Sequence, residues 1–225
     1  AVSLDPQQET TAPGTWVYQL ILEPLLVLDA HMKVQPKLAA SWKVLSPTRT
    51  RFFLRKGVRF HDGTPFNTKA VQRIINYYAD NKSWVQYEFY AVYGCVNKSG
   101  WPNKGNWLHD DLHMTLNLTW ADVALIFNLS HLYGSMMSPT ALESDGLANY
   151  GTAGHKVVGT GPFMLTEWVA GDHVTLVKNP NYTWGPEWVQ NKGPAQIDKI
   201  IYRIIPNEAT RFLGFEGGTI DVLQQ

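Results

Sequence analysis

Cysteine is nearly absent. Cys95 is the only one in 225 residues, so the chain forms neither an internal disulfide nor a multi-cysteine metal site. That scarcity fits the cytosol and equally fits exported bacterial proteins that fold without bridges, which leaves the compartment open. Charge of one sign is missing too. Nineteen Lys and Arg balance nineteen Asp and Glu, and no basic run stands out, which argues against nucleic acid or an anionic membrane as a partner. Long hydrophobic runs are lacking. LILEPLLVL at 20–28 is too short and too interrupted to span a bilayer, and no charged-then-apolar leader opens the sequence. Nucleophile signatures are absent as well: no serine sits in G-x-S-x-G, and no histidine lies near Cys95 in sequence.

What is present is an ordinary core and many rings. Hydrophobic residues make up 44% of the chain, enough for one large domain or two modest ones, and nine Trp and ten Tyr stand out. Such rings stack on ligands or fill cores equally well.

The run QQETTAPGT reads as a loop, with Pro13 and Gly14 holding off a helix. From Trp16, apolar residues at helical spacing predict a buried helix reaching towards Asp29. MKVQPKLAASWKV predicts a short helical patch ending near Trp42, and RTRFFLRKG a strand. HDGTP then turns the chain sharply, Asn67 or Thr68 caps a helix, and Ala70, Val71, Ile74, Ile75 and Tyr78 mark its inner face. LHMTLNL predicts a strand with one wet face. A helix is expected from Ala121 to about Leu132 and a short one after Pro139. FMLTEW, HVTLVK and IDKIIYRII read as strands, followed by a helix from about Asn207 to Phe215 and a further strand starting at GGTIDVLQQ. Mixed strands and helices without an internal repeat imply an α/β or α+β sheet protein.

Two motifs invite chemistry. In HDDLH at 109–113, His109, Asp111 and His113 would share one side of an extended segment, the donors a zinc-dependent hydrolase needs. The spacing matches no recognised site, and the Leu112 to Leu118 alternation puts His113 on a wet strand face, so a solvated edge explains it more simply. GTGP at 159–162 lacks the lysine and the spacing of a phosphate loop, and a tight turn accounts for it.

Taken together, SLDP, EPLLVLD, LAASW, FFLRKGVRFHDGTPFN, VGTGPF, LVKNPNYTW and PNEATRFLGFEGGTIDVL occur in an order that resembles the large extracellular solute-binding proteins of ABC importers, family 5. The resemblance is to the branch of oligopeptide-, dipeptide- and nickel-binding proteins and covers nearly the whole chain. It implies a class II periplasmic-binding-protein-like α/β fold: a mixed-sheet lobe with an inserted α+β subdomain, the second lobe missing. It divides the chain into a discontinuous lobe core, residues 1–37 and 155–225, and an inserted subdomain, 38–154. The SGWPNKGN loop and the second tryptophan of TWGPEWVQNKG stand outside the family pattern.

The same resemblance implies a function: capture of a peptide or other small solute outside the cytoplasmic membrane, delivery to a membrane permease, and no catalysis or cofactor. It implies a periplasmic or cell-surface lipoprotein location. The family's ligand loop falls on residues 9–16, which makes Thr11, Gly14, Thr15 and Trp16 the first candidates. Trp84, Tyr87 and Tyr90, in an aromatic band, compete to cover the cleft, and Ser135 and Met136 align with another cleft segment. A carbohydrate ligand, suggested by the tryptophan count, and the metal-dependent hydrolase stay open as alternatives. A lobe without its mate would expose an apolar face and could dimerise through it.

Overall fold

The computed structural model of the chain describes residues 3–6, 8, 11–80, 108–118, 121–131, 134–146 and 149–223. The first helix, α1 (Ala12–Ile21), starts earlier and stops sooner than its apolar spacing suggests. Pro13 begins it instead of blocking it, because the first turn of a helix has no use for an amide proton there. Leu22 is already extended, and Pro24 disfavours helical geometry for Glu23.

The chain continues into a small antiparallel pair, β1 (Leu26–Leu28) and β2 (Val34–Pro36), closed by Asp29, whose side chain accepts from the amides of His31 and Lys33. The expected helical patch ending near Trp42 is a strand, β3 (Ala39–Ser46). Its ladder with β4 (Arg49–Leu54) shifts register between Ala39 and Ser41 and again between Val44 and Ser46. Those irregularities scramble the two-residue period and hide the strand from pattern reading. β4 in turn pairs with β5 (His113–Asn117).

Between β4 and the next helix, Phe60 and Phe66 meet edge to face across the HDGTP turn, where Gly63 has φ 85°. Asn67 caps α2 (Thr68–Asp80) by accepting from the amide of Ala70. The buried face of α2 carries Ala70, Val71, Ile74 and Ile75 as expected and adds Tyr77; the side chain of Tyr78 lies outside the described residues.

The helix expected from Ala121 shrinks to one turn, α3 (Leu125–Asn128). Asp122 accepts from the Ala124 amide and the Ser130 hydroxyl donates to the Phe127 carbonyl, local bonds that compete with helix at both ends. α4 (Pro139–Asp145) follows, with Ser138 as its cap.

A third antiparallel sheet comprises β6 (Phe163–Val169), β7 (His173–Lys178) and β8 (Lys199–Arg203), in that order. The strand order in each sheet follows the sequence, and every ladder among the described residues is antiparallel, so the mixed sheet implied by the resemblance is not seen there. The last helix, α5 (Glu208–Glu216), is capped by Asn207. No strand follows it through residue 223: the amides of Thr219 and Ile220 fold back onto the Gly214 carbonyl.

The core runs from Leu4 through α1, the inner faces of β4 and β5, and α2, to Leu176 and Trp184. Among the described residues no helix is long and apolar enough to cross a membrane.

Candidate binding site

The glycines of VGTGPF lie against the C-terminal end of α1. A Cβ on Gly159 would sit 2.0 Å from the Ile21 carbonyl oxygen, and one on Gly161 would sit 2.4 Å from that of Leu20. The Gly161 amide donates to the Ile21 carbonyl at 2.9 Å. These glycines therefore serve close backbone approach and satisfy a carbonyl at a helix end, a role unrelated to phosphate.

The HDGTP turn docks on the other side of the same loop. His61 contacts the Gly161 carbonyl through Nε2 at 2.9 Å and accepts the Gly159 amide at Nδ1 at 3.4 Å. Burial holds this imidazole below its ordinary pKa, against smaller opposing effects from the Gly161 carbonyl, Glu23 and Asp62. Asp62 meets the Ser138 hydroxyl, and Thr64 donates to Thr140 at 2.9 Å, which ties the turn to the start of α4.

Just past α1, Glu23 is 2% exposed and its carboxylate collects four partners. Lys37 Nζ lies 2.7 Å from Oε1, to which the Tyr182 hydroxyl also donates at 2.7 Å. Thr160 and the Trp184 indole both donate to Oε2 at 2.9 Å. Lys37 also donates to the Tyr182 oxygen at 2.8 Å. Burial, then the Glu23 charge, pushes the Tyr182 phenol well above its ordinary pKa, so it stays a donor. The hub thus joins EPLLVLD, the residue before LAASW, VGTGPF and LVKNPNYTW. Three of the motif blocks and the residue next to a fourth meet at one buried carboxylate. Sequence reading missed Glu23, although a charged residue inside an apolar run was the available signal.

The candidate residues fall in three groups. Thr11 stands at the N-cap position of α1 and is exposed, Gly14 is buried in the first turns, and Thr15 and Trp16 are half-buried. The Trp16 carbonyl accepts from the Tyr202 hydroxyl of β8 at 3.3 Å. Ser135 and Met136 are buried, Met136 bridging to Glu23 through its amide, so neither offers surface to a solute in this structure. Trp84, Tyr87 and Tyr90 lie outside the described residues.

The HDDLH residues lie near one another but do not form a metal site. His109 bonds the Thr115 hydroxyl at 2.8 Å, His113 pairs with Asp110, and Asp111 is exposed. Among the described residues no group of three His, Cys, Asp or Glu could hold a metal. An open depression of about 360 Å³ lies among Arg51, Phe53, His109, Asp110 and His113. Another, of about 550 Å³, lies on the outer face of β7 and β8, and neither includes a residue of α1.

Comparisons with known proteins agree with the motif order. The family model described as bacterial extracellular solute-binding proteins, family 5 Middle, matches residues 33–225. Among curated proteins, the glutathione-binding protein GsiB of Shigella flexneri is 30% identical over 210 residues, covering 93% of this chain and 37% of that protein. The chain therefore spans less than two fifths of the length of such relatives. Among solved structures, the periplasmic binding protein DppA from Helicobacter pylori, in complex with the peptide STSA, is 26% identical with a TM-score of 0.75, over 97% of this chain and 43% of that one. The oligopeptide-binding protein AppA from Bacillus subtilis, in complex with a nonapeptide, has a TM-score of 0.80 at 19% identity, over 98% of this chain and 41% of that one, a likeness of fold. The architecture is thus a mixed α/β fold matching about two fifths of class II periplasmic binding proteins.

Proposed function

The chain belongs to the bacterial extracellular solute-binding proteins, family 5, and we propose that it contributes to capturing a peptide or peptide-like solute outside the cytoplasmic membrane for delivery to the permease of an ABC importer. The family is one of binding proteins and not of enzymes. The hydrolase alternative loses its basis because, among the described residues, His109, Asp111 and His113 do not form a group of three donors that could hold a metal.

One observation carries the reading: the first turn of α1 presents Thr11 at the surface, with Thr15 and Trp16 half-buried behind it, while the far end of the helix is locked into the Glu23 hub. A surface turn with hydroxyls and one indole on an immobile support suits a polar solute of modest size, since ordering costs are met before binding. Two relatives point towards peptide-like solutes, one named for glutathione and one holding a peptide. The carbohydrate alternative drew on the tryptophan count, but Trp184 is 7% exposed and its indole is committed to Glu23, so part of that count is architectural.

The division into a lobe core, 1–37 and 155–225, and an inserted subdomain, 38–154, belongs to the same proposal. It is supported by the packing of α1 on β6 and by the separate sheet of β3, β4 and β5. α5 has no buried residue and exposes Phe212, Leu213 and Phe215, and Ile201 and Ile204 are exposed as well. That apolar face fits a surface made to meet the rest of a longer polypeptide, and a second copy of the chain is the alternative occupant. A periplasmic or cell-surface location follows from the family reading. Calorimetric titration with glutathione, di- and tripeptides and oligosaccharides tests the proposal. Saturable binding of peptide-like solutes supports it, and binding confined to oligosaccharides overturns the solute class.

A further inference from the structure

We propose that Asp5 and Glu23 are paired positioning residues that bracket α1 and fix where its first turn stands. The proposal rests on the binding reading above for what that turn is positioned to meet.

Both carboxylates are buried, Asp5 at 0% and Glu23 at 2% exposure, and in the sequence one precedes α1 and the other follows it. Each gathers donors from distant parts of the chain. Asp5 accepts from the Tyr77 hydroxyl of α2 at 2.9 Å and from Gln8 Nε2 at 3.3 Å. Its own amide donates to the Ser3 hydroxyl oxygen, and that hydroxyl donates to the Gly151 carbonyl, which the Leu4 amide also reaches at 2.7 Å. Burial, then the Asp5 charge, raises the Tyr77 phenol far above its ordinary pKa and keeps it a donor. At the far end Glu23 gathers Lys37, Thr160, Tyr182 and Trp184.

A buried carboxylate is costly unless its lone pairs are met, and an apolar side chain would fill the same space without that cost. What a fully bonded carboxylate adds is direction. Apolar contacts resist withdrawal but tolerate sliding and rotation, whereas hydrogen bonds of fixed length from several segments do not. α1 needs that constraint because residues 11–13 are exposed and its buried side chains begin in earnest only at Val17. The Tyr202 bond to the Trp16 carbonyl adds a third tether between the two brackets.

Amide hydrogen exchange on the chain separates positioning from general stability. In Asp5→Asn and Glu23→Gln, amides of residues 15–22 should exchange about tenfold faster than the drop in global stability accounts for, while β7 amides move only with that drop. Leu176→Ala, a core substitution in β7, is the control in which both regions move together. Should either carboxylate variant fail to fold, Tyr77→Phe and Tyr182→Phe each remove one donor and carry the same comparison. If α1 and β7 accelerate in proportion in these variants, as in Leu176→Ala, the bracket is overturned. A wild-type chain that binds neither glutathione nor peptides would overturn the binding reading instead, and the exchange comparison would still decide the bracket.

Discussion

The Tyr182 hydroxyl donates to the Glu23 carboxylate at 2.7 Å across 159 positions of sequence, and Lys37 touches both partners. This triangle, with Thr160 and Trp184 on the other carboxylate oxygen, welds the end of α1 to three loops.

Removing one donor leaves a buried charge short of a bond. Tyr182→Phe should destabilise the chain by about 1–3 kcal/mol, read as a lower urea midpoint with an unchanged slope. A midpoint within error of wild type would mean that Lys37, Thr160 and Trp184 satisfy Glu23 without it.

The glycine loop makes a sharper comparison. Gly159→Ala puts a Cβ 2.0 Å from the Ile21 carbonyl oxygen, a clash with backbone that no rotamer relieves. We expect a loss of about 3 kcal/mol or more, up to failure to fold, because overpacking against backbone sits at the upper end of such costs. Gly171→Ala, where φ is 78° but nothing lies within 4 Å, should cost about 1 kcal/mol. Equal costs at the two sites would contradict the close-approach role.

His61 predicts acid sensitivity. Its folded pKa lies below the ordinary 6.5 because burial disfavours the imidazolium, so the unfolded chain takes up the proton first. The stability this neutral histidine contributes is present above about pH 6.5 and is lost as pH falls through the lower folded value. Half-buried His173 runs the other way: bonds to Asp172 and then Glu167 raise its pKa, so its contribution is present below its unfolded pKa and fades as pH rises through the raised value. Urea midpoints measured from pH 7.5 down to 5 should fall in the wild type and fall less in His61→Gln. Parallel curves would remove His61 as the cause.

Much of this fold was legible beforehand. β7 and β8 keep their alternation, β6 is recognisable despite a register shift between Leu165 and Glu167, and α5 announces itself with Asn207. β3 was misread because two register shifts break its period, and α1 was displaced because Pro13 starts a helix while Pro24 ends the stretch. The region of Thr11 and Trp16 was reached through family motifs, since nothing in its composition marks it. The hub was hidden for a different reason. Hydrogen bonds between Glu23 and residues 160–184 are long-range, and no local periodicity encodes them.

The central claim is that the first turn of α1 meets a solute and leaves it chemically unchanged. Amide chemical shifts recorded during titration with glutathione and with di- and tripeptides test this most directly, because they report even weak contacts residue by residue. The account predicts saturable shifts concentrated in residues 11–16, abolished by Trp16→Ala, with the solute recovered intact. Saturable shifts confined to the depression around Arg51 and His109, or a solute consumed during the titration, would contradict it.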